Sequence, residues 1–267
     1  MIMRDHLGWT NLIEGRWCRA VTDGTSAAGL VVAYPLPGGD VSIERCETVA
    51  TDLVWVDPSG LAGPDDLLAP LKAAGAVGRL TNPSLWDAIA TAIMRQVVRA
   101  GQARKVYQRF SHLYGRPVRT PGGAAWLFPD PSQVQAMTSD CYTAAGAKFF
   151  EPKLKAAAAA YLADGDEWAR LPAAERVEAL RSVSGIGQWT ARAAVCDHTS
   201  DFGLYPHNDL AVRTWARRLN PAREWPHDPA DFAAAWREMC GPQLSEWTLL
   251  TLAWGIGHGD LDRSTTS

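Results

Sequence analysis

Two short stretches of this 267-residue sequence bring together residue types suited to a charged partner or a polarised bond. The first is Ser184-Gly185-Ile186-Gly187-Gln188-Trp189-Thr190. Helical periodicity in R-V-E-A-L-R-S-V runs to Val183, breaks at the two glycines, and resumes from Gln188. Glycines spaced in this way permit a tight turn between helices and a close backbone approach. The second helix then opens with amides that lack intrahelical partners, a site for an anion such as a DNA phosphate, with Gly185, Gly187, Gln188 and Thr190 around it. Ile186 is expected to point inward and lock the two helices. The second stretch is Pro206-His207-Asn208-Asp209, which sets a carboxylate at the start of a predicted helix. For the first stretch the plainer explanation is an ordinary helix corner, and for Asp209 it is a helix N-cap.

Other chemistries find less support. A helix rather than a strand precedes the glycines, and the third glycine of a dinucleotide fingerprint is absent. No carboxylate pair suggests a glycoside hydrolase, and His207-x-Asp209 has no further clustered ligands for a metal. Cys18, Cys46, Cys141, Cys196 and Cys240 are scattered with no CxxC pair, so reduced thiols are expected rather than disulfides, a zinc site or an iron–sulfur cluster. The net charge of −3 does not mark a nucleic-acid binder, but the charge is unevenly spread. Between Asp87 and Asp130 there is no acidic residue, while Arg95, Arg99, Arg104, Lys105, Arg109, Arg116 and Arg119 all fall there. Residues 1–75 carry ten acidic residues against five basic ones. A local basic face of this kind can bind phosphates, and it can equally be a solvated helix surface.

These residues need a scaffold, and 47% hydrophobic with 21% charged residues describes a globular chain with a core. Residues 1–57 read as strands, with L-V-V-A-Y-P-L, V-S-I-E-R-C-E-T-V-A and T-D-L-V-W-V-D separated by turns at Asp23-Gly24 and Pro37-Gly38-Gly39. Pro64, Asp65 and Asp66 mark a helix start, and from there the pattern is helical. Helices are predicted from Ser84 to Tyr114 (one or two, opened by Asn82-Pro83) and over P-D-P-S-Q-V-Q-A-M. Further ones fall in A-K-F-F-E-P-K-L-K-A-A-A-A-A-Y-L-A-D, P-A-A-E-R-V-E-A-L-R-S-V, T-A-R-A-A-V-C-D-H, N-D-L-A-V-R-T-W-A-R-R-L, P-A-D-F-A-A-A-W-R-E-M and S-E-W-T-L-L-T-L-A-W-G-I-G. The fold class is α+β, mainly α. An N-terminal antiparallel β domain is expected over residues 1–75, and a helical core of two lobes with a cleft between them over 76–267. The tail G-D-L-D-R-S-T-T-S is expected to fray. With no long apolar run and no signal-peptide core, a cytoplasmic, nucleoid-associated protein with no membrane contact is expected.

L-x-x-V-x-G-I-G-Q-W-T-A followed by P-H-N-D-L-A-V-R resembles the helix-hairpin-helix DNA glycosylase superfamily, and by pattern most nearly its bacterial alkyladenine (3-methyladenine type II) glycosylases. Asp209 falls twenty residues after Trp189, where the family aspartate lies. A-I-M-R-Q-V-V-R-A-G-Q-A-R-K-V-Y-Q-R-F is similar to the family's helix–loop–helix that carries a minor-groove wedge, and W-L-F-P-D-P-S-Q-V-Q-A-M to the segment after it. The resemblance spans roughly residues 80–260.

It implies a monomeric, monofunctional glycosylase that flips a base out of double-stranded DNA and hydrolyses its N-glycosidic bond, with Asp209 as catalytic carboxylate. Gln96, Val97 and Val98 would form the wedge loop, with Val97 intercalating and Arg95 and Arg99 on phosphates; core packing is the ordinary fate of a valine. Trp189 stands where bifunctional members carry a lysine nucleophile, so an intact strand is implied. Trp189, Trp254 and His207 would line the base pocket. No cofactor is required, and the hairpin would bind Na+ or K+ through the main-chain carbonyls of Arg181, Val183 and Ile186. The sequence departs from the alkyladenine pattern at Ala193 and Ala253, where aromatic residues would align. An alkylated purine is the first expected substrate, and smaller side chains there suit a bulky or hypermodified base, such as those in phage DNA. A catalytically inactive helix-hairpin-helix DNA-binding module is the alternative in a different class.

Overall fold

The computed structural model describes residues 1–13, 15–36, 41–45, 48–120 and 122–258. The Pro37-Gly38-Gly39 turn, Cys46 and the tail from Gly259 lie outside the described residues. The strands are β1 (Thr10–Ile13), β2 (Arg16–Val21), β3 (Gly29–Pro35), β4 (Val41–Arg45), β5 (Leu53–Val56), β6 (Val77–Leu80), β7 (Pro117–Thr120) and β8 (Gly123–Trp126). The helices are α1 (Asp65–Ala74), α2 (Leu85–Met94), α3 (Ala100–Tyr114), α4 (Pro131–Ala136), α5 (Ser139–Ala145), α6 (Glu151–Arg170), α7 (Ala173–Arg181), α8 (Gln188–Thr199), α9 (Leu210–Leu219), α10 (Pro229–Cys240) and α11 (Leu244–His258). An N-terminal antiparallel sheet and a mainly helical remainder are thus both present. The chain divides into two compact units: Met1–Asp5 with Leu53–Leu80 and Ser200–Ser267, and His6–Asp52 with Thr81–Thr199.

The second unit holds β1–β4 as an antiparallel meander in that order. The Asp23-Gly24 turn joins β2 to β3: Gly24 takes φ +91° and the Asp23 carboxylate accepts from the Thr25 amide at 2.9 Å. Ala20 packs with Ala125 and Leu127, which ties the sheet to the β7–β8 hairpin, a pairing the sequence did not suggest. All ten residues of α2 are buried, as L-W-D-A-I-A-T-A-I-M, apolar nearly all round, requires. It packs against α8 and α6. Ser84 caps it by accepting from the Asp87 amide at 3.2 Å. Asp130 and Gln133 cap α4 reciprocally, so the P-D-P-S-Q run sets its own boundary.

The first unit pairs β5 with β6 in a separate two-stranded sheet, so T-D-L-V-W-V-D does not continue the meander. Its helices α1, α9, α10 and α11 enclose an aromatic core in which Trp225, Phe232, Trp236 and Trp247 pack in sequence. Two glycines make room for tryptophans of this unit. A Cβ at Gly63 would lie 2.7 Å from the Trp247 ring, and one at Gly255 2.2 Å from Trp215.

A buried charge cluster ties the second unit together. Asp87 of α2 takes the Tyr107 hydroxyl at 2.6 Å, lies 3.0 Å from His6 Nε2 and 3.4 Å from Arg19 Nη2, and accepts from Asn82 at 3.2 Å. Asn82 also donates to Asp197 of α8 at 2.7 Å. Burial pushes the Asp87 carboxyl up, but His6, Arg19 and the Tyr107 hydroxyl outweigh it and hold the group below the usual carboxylate range. Burial, then the Asp87 charge, pushes the Tyr107 hydroxyl well above its usual value.

Candidate nucleic-acid interface and active site

The hairpin forms where the helical period breaks. α7 ends at Arg181, Gly185 takes φ +84°, and α8 starts at Gln188. Ile186 is buried and its amide donates to the Val183 carbonyl at 3.0 Å, which closes the turn. Gly185 is doubly constrained, because its backbone is left-handed and an added Cβ would lie 2.7 Å from Lys153 Cγ. Gly187 meets nothing within 4 Å, so its face is open to an outside group. The first turn of α8 offers amides that a helix cannot satisfy itself, aligned with the positive end of its dipole. Gln188 is exposed and Trp189 half-buried. Thr190 is buried, and its hydroxyl accepts from Gln96 Nε2 at 2.6 Å, so its side chain serves the protein and only its main chain faces the anion question.

The carbonyls of Arg181, at the end of α7, and of Val183 and Ile186, in the turn after it, are neutral oxygens, a donor type that suits a monovalent cation. Val183 spends one lone pair on the Ile186 amide. The Arg181 guanidinium pairs with Glu178 at 2.7 Å and is not drawn to the turn.

Val97 is 83% exposed and adopts φ +53°, in the loop between α2 and α3. It is not a core residue. A β-branched side chain in the left-handed region costs on the order of 1–3 kcal/mol and must be held there by its surroundings. Gln96 holds it: Nε2 donates to the Gly185 carbonyl at 3.2 Å as well as to Thr190, and Oε1 accepts from Lys153 Nζ. The loop and the hairpin thus share one side chain within one unit. Arg95 is half-buried at the end of α2, while Arg99 is exposed and leads into α3. Of the other basic residues of this stretch, Lys105, Arg109 and Arg119 are exposed. Arg104, half-buried, and Arg116, exposed as well, donate to main-chain carbonyls of Trp9 and Ser26.

Asp209, His207 and Trp254 lie in the first unit. Asp209 is half-buried and caps α9, accepting from the Ala211 amide at 2.7 Å. The cap fixes the carboxylate by orienting one oxygen along the helix start. His207 is 2% exposed, with Nε2 3.2 Å from the Phe202 carbonyl, so it holds the loop before Asp209 together. Trp254 is half-buried, stacks on His258 at 4.3 Å and meets Trp215 edge-on. Ala193 and Ala253 are both buried. Sequence reasoning missed Lys153, which sits in an alanine-rich helix with no motif around it, and the exposed Phe149 beneath its ammonium.

No protein-family model matches this sequence, and a search of curated proteins finds no match. Solved structures do match. A 3-methyladenine DNA glycosylase from Archaeoglobus fulgidus superposes with a TM-score of 0.69 at 20% identity, covering 92% of this chain and 88% of that one. The Clostridium acetobutylicum 8-oxoguanine glycosylase/lyase, bound to double-stranded DNA with cytosine opposite 8-oxoguanine, gives 0.71 at 16% identity over 96% and 90%. A Schizosaccharomyces pombe 3-methyladenine DNA glycosylase in complex with abasic DNA gives 0.50 at 22% identity over 65% and 80%. Such identities speak for architecture: the chain has the fold of the helix-hairpin-helix DNA glycosylases.

Proposed function

We propose that this protein is a monofunctional DNA glycosylase acting on double-stranded DNA as a monomer. The observation that carries the reading is the exposed, left-handed Val97 tied through Gln96 to a hairpin with an open glycine face. An apolar residue held out of the core against its backbone preference suits entry into a base stack. The hairpin amides of Gly187 and Gln188, with Arg95 and Arg99, suit the flanking phosphates. The fold shared with glycosylases that bind DNA supports the same partner. A Na+ or K+ on the carbonyls of Arg181, Val183 and Ile186 would add positive charge beside that phosphate.

Asp209 is the catalytic group in this reading. As the C1′–N bond of the flipped nucleotide breaks, positive charge gathers on the sugar, and a fixed carboxylate stabilises it. The bond pair of C1′–N leaves with the base, which departs neutral from a cationic alkylated purine; water adds at C1′ and releases its proton to solvent, and the strand stays intact. Trp189 supplies no amine for a Schiff base. An electron-poor alkylated purine is the preferred substrate, a base on which an aromatic ring stacks well. The alanines at 193 and 253 favour, as second reading, a bulkier modified base. The test is a labelled duplex carrying one methylated purine, incubated with wild-type protein. Strand scission only after alkali, with no borohydride-trapped adduct, is the expected result. Scission without alkali, together with a trapped adduct, would contradict the monofunctional assignment.

A further inference from the structure

We infer that Lys153 is a positioning residue that locks the Val97 loop to the hairpin, so that phosphate grip and insertion into the duplex act as one rigid element. The inference rests on the reading of Val97 as the residue that enters DNA.

The geometry is specific. Lysine only donates hydrogen bonds, so its contact with Gln96 forces the amide oxygen toward α6 and turns both amide hydrogens toward the hairpin. In that orientation Nε2 reaches the Gly185 carbonyl at 3.2 Å and Thr190 Oγ1 at 2.6 Å. Without Lys153 the amide can rotate by half a turn, and the hairpin carbonyl then faces an oxygen. The lysine is itself fixed. Its stem runs over Gly185, where only a glycine leaves room, and its ammonium lies 4.9 Å from the centre of the Phe149 ring. Gln96 and Lys153 are 57 residues apart and come from the α2–α3 loop and α6, so the contact joins segments that local sequence cannot hold together. Exposed Val97 has no burial to keep it left-handed, and the bonds of the residue before it do that work.

The ammonium is engaged by the protein rather than offered to DNA, and this separates the inference from a simple phosphate contact. The probe is a duplex carrying a tetrahydrofuran abasic-site analogue with 2-aminopurine as the neighbouring base. Wild-type protein should raise the 2-aminopurine fluorescence as Val97 enters the gap. In Lys153→Met, which keeps the aliphatic stem over Gly185, the equilibrium for insertion should fall about tenfold. The slope of log affinity against log salt should not change. Lys153→Arg should recover part of the signal. Gln96→Glu, which keeps the acceptor and removes both donors, should reproduce the loss if Lys153→Met folds poorly. An unchanged fluorescence rise in Lys153→Met, or a salt slope lowered by about one, would overturn the inference, the latter marking Lys153 as a phosphate contact. Val97→Ala separates the two levels. If it too leaves the rise intact, the wedge reading itself fails, and the lock with it.

Discussion

The His6–Asp87–Arg19 cluster and the Gln96–Lys153–Thr190 junction both tie together segments far apart in sequence, and both lie in the second unit. The first is wholly buried, surrounds one carboxylate with opposite charge and hydrogen-bond donors, and leaves nothing to act on a partner. The second lies at the surface and leaves an apolar side chain projecting and a glycine face open. Similar chemistry serves stability in one place and, in the function proposed above, recognition in the other. What separates them is where backbone strain is stored: the buried cluster gathers charge around one carboxylate, with Arg19 Nε and Nη1 left without hydrogen-bond partners among the described residues, whereas the junction holds Val97 in a conformation it would not choose.

Substitutions should pull these two regions apart. The largest effect on stability is expected from Asp87→Ala. Removing that carboxylate leaves His6 and Arg19 buried without it, a loss of about 3–5 kcal/mol in urea denaturation. A loss below about 1 kcal/mol would show that the cluster does not hold the unit together. Val97→Gly should do the reverse. Relief of the left-handed strain exceeds the extra chain entropy of glycine, so stability rises by about 1 kcal/mol while insertion into the 2-aminopurine duplex is lost. Loss of stability in that variant would mean Val97 packs against its own protein. The smallest effect concerns pH. Burial lowers the affinity of His198 for a proton, outweighing the Asn82 carbonyl 2.9 Å from Nδ1. The unfolded chain then binds the proton more readily, so this contribution is full above about pH 6.5 and declines as pH falls below it. The Asp87 contribution is lost only further down, as pH falls from about 3.9 through its lowered folded value. His198→Gln should flatten the first decline and leave the second.

The hairpin was legible because it is local: a helical period stops, two glycines intervene, and the period resumes within a few residues. The helix starts at Ser84 and Asp209 were legible for the same reason, since a cap acts on the next turn. Pairings over distance were not. β6 hides in A-G-A-V-G-R-L, which carries no alternation, and pairs with β5 across the intervening α1. Residue type alone makes Val97 a core valine; the resemblance named it as the wedge, but nothing in I-M-R-Q-V-V-R announces its positive φ. His6 and Asp87 share no period, and Lys153 reads as one more charge on an alanine-rich helix. The chain also passes between the two units four times, which a change of composition along the sequence cannot display.

The central claim is that Asp209 drives hydrolysis of a base–sugar bond. The most direct test is mass spectrometry of free bases released by purified protein from methylated DNA, oxidised DNA and phage DNA with glucosylated pyrimidines, run beside Asp209→Asn. Release of a defined base by the wild type and at least about a 100-fold loss in the variant, with DNA binding retained, is the expected result. Equal release by both proteins would contradict it, and no release from any of these DNAs with binding intact would favour a DNA-binding module instead.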